Sequence, residues 1–218
     1  MENDPENKEN VSKFLYTPYY CEENVFFLCK RLIEDGLADA AGTDLFVVFI
    51  SNDKKQVPLW RQKASARTDG AVVWDYHVIC VQRKNSDSVD LVWDLDANIP
   101  FPCLFSSYFD NVIVKSFQIS PEYRRLFRVV HAPVFIRSFA SDRSHMKDSE
   151  GNWIAPPPPY DPIVSEDGSV NNLHDYMEIH AFEGISKVDG ETIDLLFTQK
   201  LGIVLNEDKF EDFLSRIS

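Results

Sequence analysis

The chain has 218 residues, a formal net charge of −13 and 44% apolar residues, including 16 Phe, 8 Tyr and 4 Trp. That apolar content suffices for a packed core and argues against global disorder. The acidic balance argues against a nucleic-acid or anionic-membrane partner, because phosphate binding needs clustered Lys and Arg.

The opening MENDPENKEN has no apolar stretch of the secretory kind, and the longest clean apolar run, LFVVFI, is far too short to span a membrane. Residues 1–14 read as a disordered tail, and residues 15–218 as a single catalytic domain. Thr17-Pro18 resembles a helix start, with Thr as N-cap and Pro at the first helical position. From there Val25, Leu28, Cys29, Leu32 and Ile33 form one apolar helical face, and Gly36 is a reasonable stop. Cys21, Glu22 and Glu23 fall in the first turn or two.

Strands are expected at 45–52, 57–64, 71–84 and 90–99, each short, β-branched and aromatic, with polar turns between them. A helix is expected near 103–112 and another over PEYRRLFRVV, with APVFIRSF as a further strand. The long segment ASDRSHMKDSEGNWIAPPPPYDPI reads as a loop of the kind that is functional or disordered. NEDKFEDFLSRIS reads as an amphipathic helix capped by Asn206. The fold class is α+β, a mainly antiparallel sheet flanked by helices.

Within this frame the stretch WDYHV, residues 74–78, stands out. If Asn85-Ser86 centres the turn after it, His77 faces Asp94 and Asp75 faces Asp96. Directly opposite side chains have Cβ atoms about 4.5–5.5 Å apart, within reach of a carboxylate–imidazole bond. A slip of one residue would destroy the pairing. A His oriented by an Asp is two-thirds of a nucleophilic triad. Cys21 is the natural third member, since a helix N-terminus and an imidazolium both lower a thiol's pKa. Each part also has a plain reading: a surface polar pair for His77 and Asp94, an inert thiol for Cys21, and core packing behind the strand for Trp74 and Tyr76. Cys29 and Cys80 fall on apolar faces and read as core, while Cys103 is ambiguous. With no CxxC pair, the four thiols read as reduced and intracellular, without structural zinc.

The stretches YYCEEN (19–24), VFISN (48–52), WDYHV (74–78), DLDANIPFPC (94–103), FASDRSHMKDSEGNW (139–153) and PPPPY (156–160) together resemble the WDYHV-motif family, the protein N-terminal glutamine amidohydrolases. The resemblance implies a papain- or transglutaminase-like cysteine hydrolase core whose catalytic triad is Cys21, His77 and Asp94. It implies deamidation of an N-terminal Gln side chain to Glu with release of ammonia, feeding an arginylation-dependent degradation route. No metal or cofactor is needed for that chemistry. The implied partners are proteins or peptides with a free N-terminal Gln, and the expected state is a monomer in the cytoplasm, with the nucleus second. The group for the substrate's α-ammonium is expected among Glu22, Glu23, Asp75 and Asp96. A protease or transglutaminase with the same triad, and a binding module without turnover, remain the alternatives.

Overall fold

The computed structural model describes residues 13–84, 89–114, 120–181, 184 and 188–216. Its centre is a six-stranded sheet in the order β6-β5-β4-β1-β7-β8. The strands are β1 Leu45–Ser51, β4 His77–Lys84, β5 Val89–Trp93, β6 Cys103–Leu104, β7 Leu126–His131 and β8 Ile203–Asn206. Each neighbouring pair is antiparallel. A separate ribbon pairs β2 Val57–Leu59 with β3 Val72–Trp74.

Every residue of β1 is buried because helices cover both sheet faces. One face packs Leu45, Val47 and Phe49 against α1 Cys21–Glu34, α3 Ala132–Ser138 and α4 Leu173–Met177. The other packs Phe46, Val48 and Ile50 against α2 Phe105–Tyr108 with its π-helical extension Phe109–Ile113, α5 Gly190–Thr198 and α6 Glu207–Arg216. Alternation along the strands sends successive residues to opposite faces. The class is therefore α+β with an antiparallel sheet, as the sequence indicates. No helix among the described residues is long and apolar enough to cross a membrane.

Several local expectations are corrected. The first helix begins at Cys21, not Thr17. Tyr19 takes a left-handed conformation, φ 71°, which a helix cannot pass through. Asn24 ties the preceding turn down, its side chain accepting from Thr17 N–H and donating to Thr17 C=O, both at 2.8 Å. Cys21 is thus the first helical residue. Residues 1–12 of the expected tail lie outside the described residues. Phe14 is packed, its ring 5.9 Å from Trp93 and 5.7 Å from Phe101.

PEYRRLFRVV is a 3₁₀ turn, Pro121–Tyr123, followed by β7. Its arginines resemble a solvated helix face, but Arg128 is buried and donates to the carbonyls of Tyr176, Leu201 and Glu178. APVFIRSF forms α3, where Pro133 occupies the first turn and Ala132, Phe135 and Phe139 share the buried side. The expected strand 57–64 shrinks to Val57–Leu59, and 71–84 divides at Asp75-Tyr76 into β3 and β4. The expected 103–112 helix is preceded by the short strand β6. The C-terminal helix forms as expected, with Asn206 Oδ1 accepting Lys209 N–H at 2.9 Å.

Candidate active site

The register of the β4–β5 hairpin differs from the expected one by two residues. Cys80 faces Trp93 and Lys84 faces Val89, so Asn85-Ser86, which lies outside the described residues, is not the centre. An even shift keeps each side chain on its expected face. β5 ends at Trp93, and the chain then turns rather than continuing the ladder. That turn brings Asp94 back to His77, whose Nε2 lies 3.0 Å from Asp94 Oδ1.

The turn is held by neighbours from the β2–β3 side. Lys63 N–H donates to Asp96 C=O at 2.8 Å, Lys63 Nζ to Leu95 C=O at 2.7 Å, and Gln62 bridges Ala97. Asp94 Oδ1 also accepts Asp96 N–H at 2.9 Å, and Oδ2 accepts the Tyr108 hydroxyl at 2.8 Å. Burial alone would raise the Asp94 pKa, but the His77 charge and these hydrogen bonds outweigh it and hold the carboxyl below its usual range. Burial depresses the His77 pKa, but the Asp94 charge and hydrogen bond, with the Asp96 and Glu22 carboxylates, outweigh it, so the imidazole sits above the ordinary histidine value. His77 Nδ1 is buried with no hydrogen-bond partner among the described residues. One ring nitrogen is therefore committed to Asp94, and the other is free for chemistry.

Trp74 and Tyr76 are not simple anchors behind the strand. The Trp74 ring is stacked on His77, centroids 5.6 Å apart and planes 18° apart, and its Nε1 donates to Gln62 Oε1 at 3.1 Å. It fixes the imidazole plane from a half-buried position. Tyr76 is buried, and its hydroxyl donates to Glu22 Oε2 at 2.9 Å. The break between β3 and β4 at Asp75-Tyr76 interrupts the alternation that had placed both rings on one face away from His77. Asp75 is exposed and does not pair with Asp96.

The Cys21 sulfur is buried, 3.7 Å from Glu22 Oε2, and takes a hydrogen bond from the backbone of Val78, the residue after His77. Glu22 and Asp96 lie within electrostatic reach of both Cys21 and His77. The expected low thiol pKa is overturned. Burial, then the Glu22 and Asp96 carboxylates, push it well up, and the Val78 hydrogen bond offsets only part of this. A thiol pushed up in this way rests protonated.

The remaining acids sort by partner. Glu23, fully buried, binds Arg143 through both oxygens, to Nε and Nη2, each at 2.9 Å. Arg143 also donates to the carbonyls of Pro158, Tyr160 and Asp161 and lies over the Tyr160 ring, 4.9 Å from its centroid. This ion pair fastens the long 140–163 segment onto the start of α1, and the Ser141–Ile163 bridge closes the segment's two ends on each other. Replacing Arg143 by Met should destabilise the fold by about 3–5 kcal/mol, because it strands a buried carboxylate. Denaturant unfolding measures this, and adding Glu23→Gln should recover much of the loss. Asp96 Oδ1 accepts the Tyr16 hydroxyl at 2.7 Å. His77, Asp94 and Asp96 offer ligand atoms within 4.8 Å of one another, close enough to share a cation. Their hydrogen bonds run instead to each other and to Tyr108 and Tyr16. Tyr16, Trp74 and Tyr108 are site neighbours that sequence reasoning left without these roles, whereas Arg143 is the salt-bridge partner that its loop, read as functional, could supply. Only the clustering of Trp, Asp, Tyr and His in WDYHV hinted at any of them.

Residues 16–214 match the family model described as N-terminal glutamine amidase. The chain is 54% identical over 209 residues to the protein N-terminal glutamine amidohydrolase of Arabidopsis thaliana, covering 95% of each chain. It is 42% identical over 165 residues to the human protein of the same name, covering 76% of this chain and 78% of that one. With the Drosophila melanogaster protein of that name it shares 38% identity over 178 residues, 82% of this chain and 85% of the other.

Proposed function

This chain belongs to the N-terminal glutamine amidase family, and on that premise we propose that it hydrolyses the side-chain carboxamide of an N-terminal Gln, giving N-terminal Glu and ammonia, through Cys21, His77 and Asp94. The observation that carries the residue assignment is His77, buried, with Nε2 tied to Asp94 and Nδ1 free, next in the chain to the residue that hydrogen-bonds the Cys21 sulfur.

In this reading the Cys21 sulfur attacks the carboxamide carbon as its proton passes to His77 Nδ1. The imidazolium, stabilised by Asp94, hands that proton to the departing nitrogen, and a thioester remains. His77 then takes a proton from water, the hydroxyl adds to the thioester carbon, and the Cys21 thiol is restored as Glu leaves. The tetrahedral oxyanion needs a preorganised donor. Cys21 is the first residue of α1, so its backbone N–H belongs to the helix-end set that has no intrahelical acceptor. Because the resting thiol is neutral, attack depends on base assistance from His77 rather than on a standing thiolate. The substrates are proteins and peptides with a free N-terminal Gln. The product, an N-terminal acid, suits an arginylation-dependent degradation route in the cytoplasm and nucleus, served by a monomer.

The test is ammonia release from peptides beginning with Gln, Asn or acetyl-Gln. Release should be confined to free Gln, with the peptide chain intact. Chain cleavage or amine incorporation would overturn the reading in favour of a protease or a transglutaminase. The pH profile carries a further expectation. With protons on both Cys21 and His77 there is neither base nor nucleophile, so removing one activates the site. The surrounding carboxylates, Asp94 first, outweigh burial and raise the His77 pKa above its ordinary value, and burial pushes Glu22 up to about 7, so kcat/KM should climb with pH through this range. It should fall again as the substrate amine deprotonates, at about 7.7–8.0. A flat profile between pH 5 and 7 would contradict it.

A further inference from the structure

We propose that Glu22 is the acceptor for the substrate's α-ammonium, so that one turn of α1 carries both the nucleophile and the group that reads a free N-terminus. This rests on the deamidase reading above and assigns the site its selectivity.

Four acids are near enough to be considered, and their partners separate them. Both Glu23 oxygens are engaged by Arg143. Asp96 Oδ1 is taken by the Tyr16 hydroxyl. Asp75 is exposed, with Oδ1 accepting the N–H of Tyr76. Glu22 is fully buried, and its Oε1 has no hydrogen-bond partner among the described residues. Oε2 is occupied, by the Tyr76 hydroxyl at 2.9 Å and the Cys21 sulfur at 3.7 Å. Leaving a buried charged oxygen unpaired is costly, which is why such groups usually meet a cation.

The cations nearby do not fill the position. Arg143 is held by Glu23, and Lys63 points its ammonium at the Leu95 carbonyl. His145, from the long 140–163 segment, stands 3.5 Å from Oε1, but burial lowers its pKa and favours the neutral ring. Burial holds Glu22 itself near pKa 7, so its charge becomes available where the substrate amine is still protonated. A ligand bringing its own ammonium completes the arrangement. N-terminal Gln presents that cation on the same residue as the reacting carboxamide, as the contact between Glu22 and the Cys21 sulfur requires. An internal or acetylated Gln offers a neutral amide there. Occupation also has a chemical effect. Glu22 is the first charge opposing ionisation of Cys21, and a bound ammonium neutralises it. The thiol becomes easier to deprotonate only when the right substrate is present.

The experiment is a cycle of two enzymes and two peptides. Wild type and Glu22→Gln are assayed for ammonia release from a Gln-peptide and from the identical peptide begun by des-amino glutamine, which keeps the carboxamide and lacks the ammonium. Wild type should prefer the Gln-peptide in kcat/KM by about 30- to 4000-fold, the range for a broken buried charge pair. In Glu22→Gln the preference should collapse to within about threefold. A change in thiol basicity alone moves both substrates together and leaves the preference intact. A Glu22→Gln enzyme that keeps the wild-type preference overturns the proposal, as does a wild type indifferent to the ammonium. Should Glu22→Gln not fold, Glu22→Asp, which withdraws the carboxylate by one methylene, must reduce the preference at least about tenfold; an unchanged preference again overturns it. Failure of the deamidase reading is distinct, since wild type would then release ammonia from neither peptide.

Discussion

Cys21→Ala is expected to abolish ammonia release while leaving a folded protein. In a hydrolase whose nucleophile and base act as a unit, loss of the nucleophile costs about 10⁶-fold in kcat. The structural cost is small by comparison. Cys21 opens α1, where alanine is a favourable residue, and the lost atom is one buried sulfur, comparable to a methylene at about 1 kcal/mol. Circular dichroism and thermal unfolding should therefore stay close to wild type while turnover drops below detection. A normal melt with more than a few per cent of activity remaining, at about 1.4 kcal/mol per tenfold, would move the nucleophile elsewhere. Cys29 and Cys80 are poor substitutes, their sulfurs buried against each other at 3.7 Å. Cys103, with burial pushing its thiol up to about 12, would be the residue to replace next.

Asp94→Ala should lower turnover by about 10⁴-fold, the scale set by loss of the orienting acid in a serine triad. Asp94→Asn should lose considerably less, because of a geometric detail. Asp94 Oδ1 already accepts from both His77 Nε2–H and the Asp96 backbone N–H, whereas Oδ2 meets only a hydroxyl that can reverse its role. An asparagine therefore keeps its oxygen toward His77 and its NH₂ toward Tyr108, preserving the tautomer. What it loses is charge, and the His77 pKa should fall with it. The acid limb of the asparagine variant's pH profile should shift to lower pH, a readout that a merely structural defect would not give. Asp96→Asn should be milder than Asp94→Ala, since Asp96 does not hold the imidazole. If asparagine and alanine at 94 prove equally damaging, orientation is not the main role of Asp94.

The sequence made the candidate residues legible for a reason that survives its own error. The hairpin centre was misplaced, but the misplacement was even, and a shift of two residues preserves faces. His77 therefore keeps its expected face, and the turn after Trp93, not a ladder pairing, brings Asp94 to it. The fold class followed from short β-branched runs with polar turns, which local pattern reports well. Buried charge is what pattern reports badly. Arg125 and Arg128 look like a solvated helix and lie in the interior. Glu22 and Glu23 look like an acidic first turn in water and are wholly enclosed. Their cover comes from Arg143, His145 and Tyr160, more than a hundred positions away in the chain. No local window contains that information. The same holds for the thiol, where a helix start argues for low pKa until the enclosing carboxylates are known.

The β4–β5 hairpin behaves as a calliper. His77 and the residue following Trp93 form its jaws, while the Lys84–Val89 pair is the last described rung at the opposite end. At about 3.3 Å per residue, seven steps of strand put Lys84 about 23 Å from His77. The jaw gap is set by the ladder and by the turn after Trp93 that Lys63 and Gln62 hold, not by the length of chain joining Lys84 to Val89, and doubling a loop costs only about 0.6 kcal/mol. A reporter or affinity handle spliced between Lys84 and Val89 would thus ride on the strands that carry the chemistry without disturbing its spacing, which makes that position a natural port for instrumenting the enzyme.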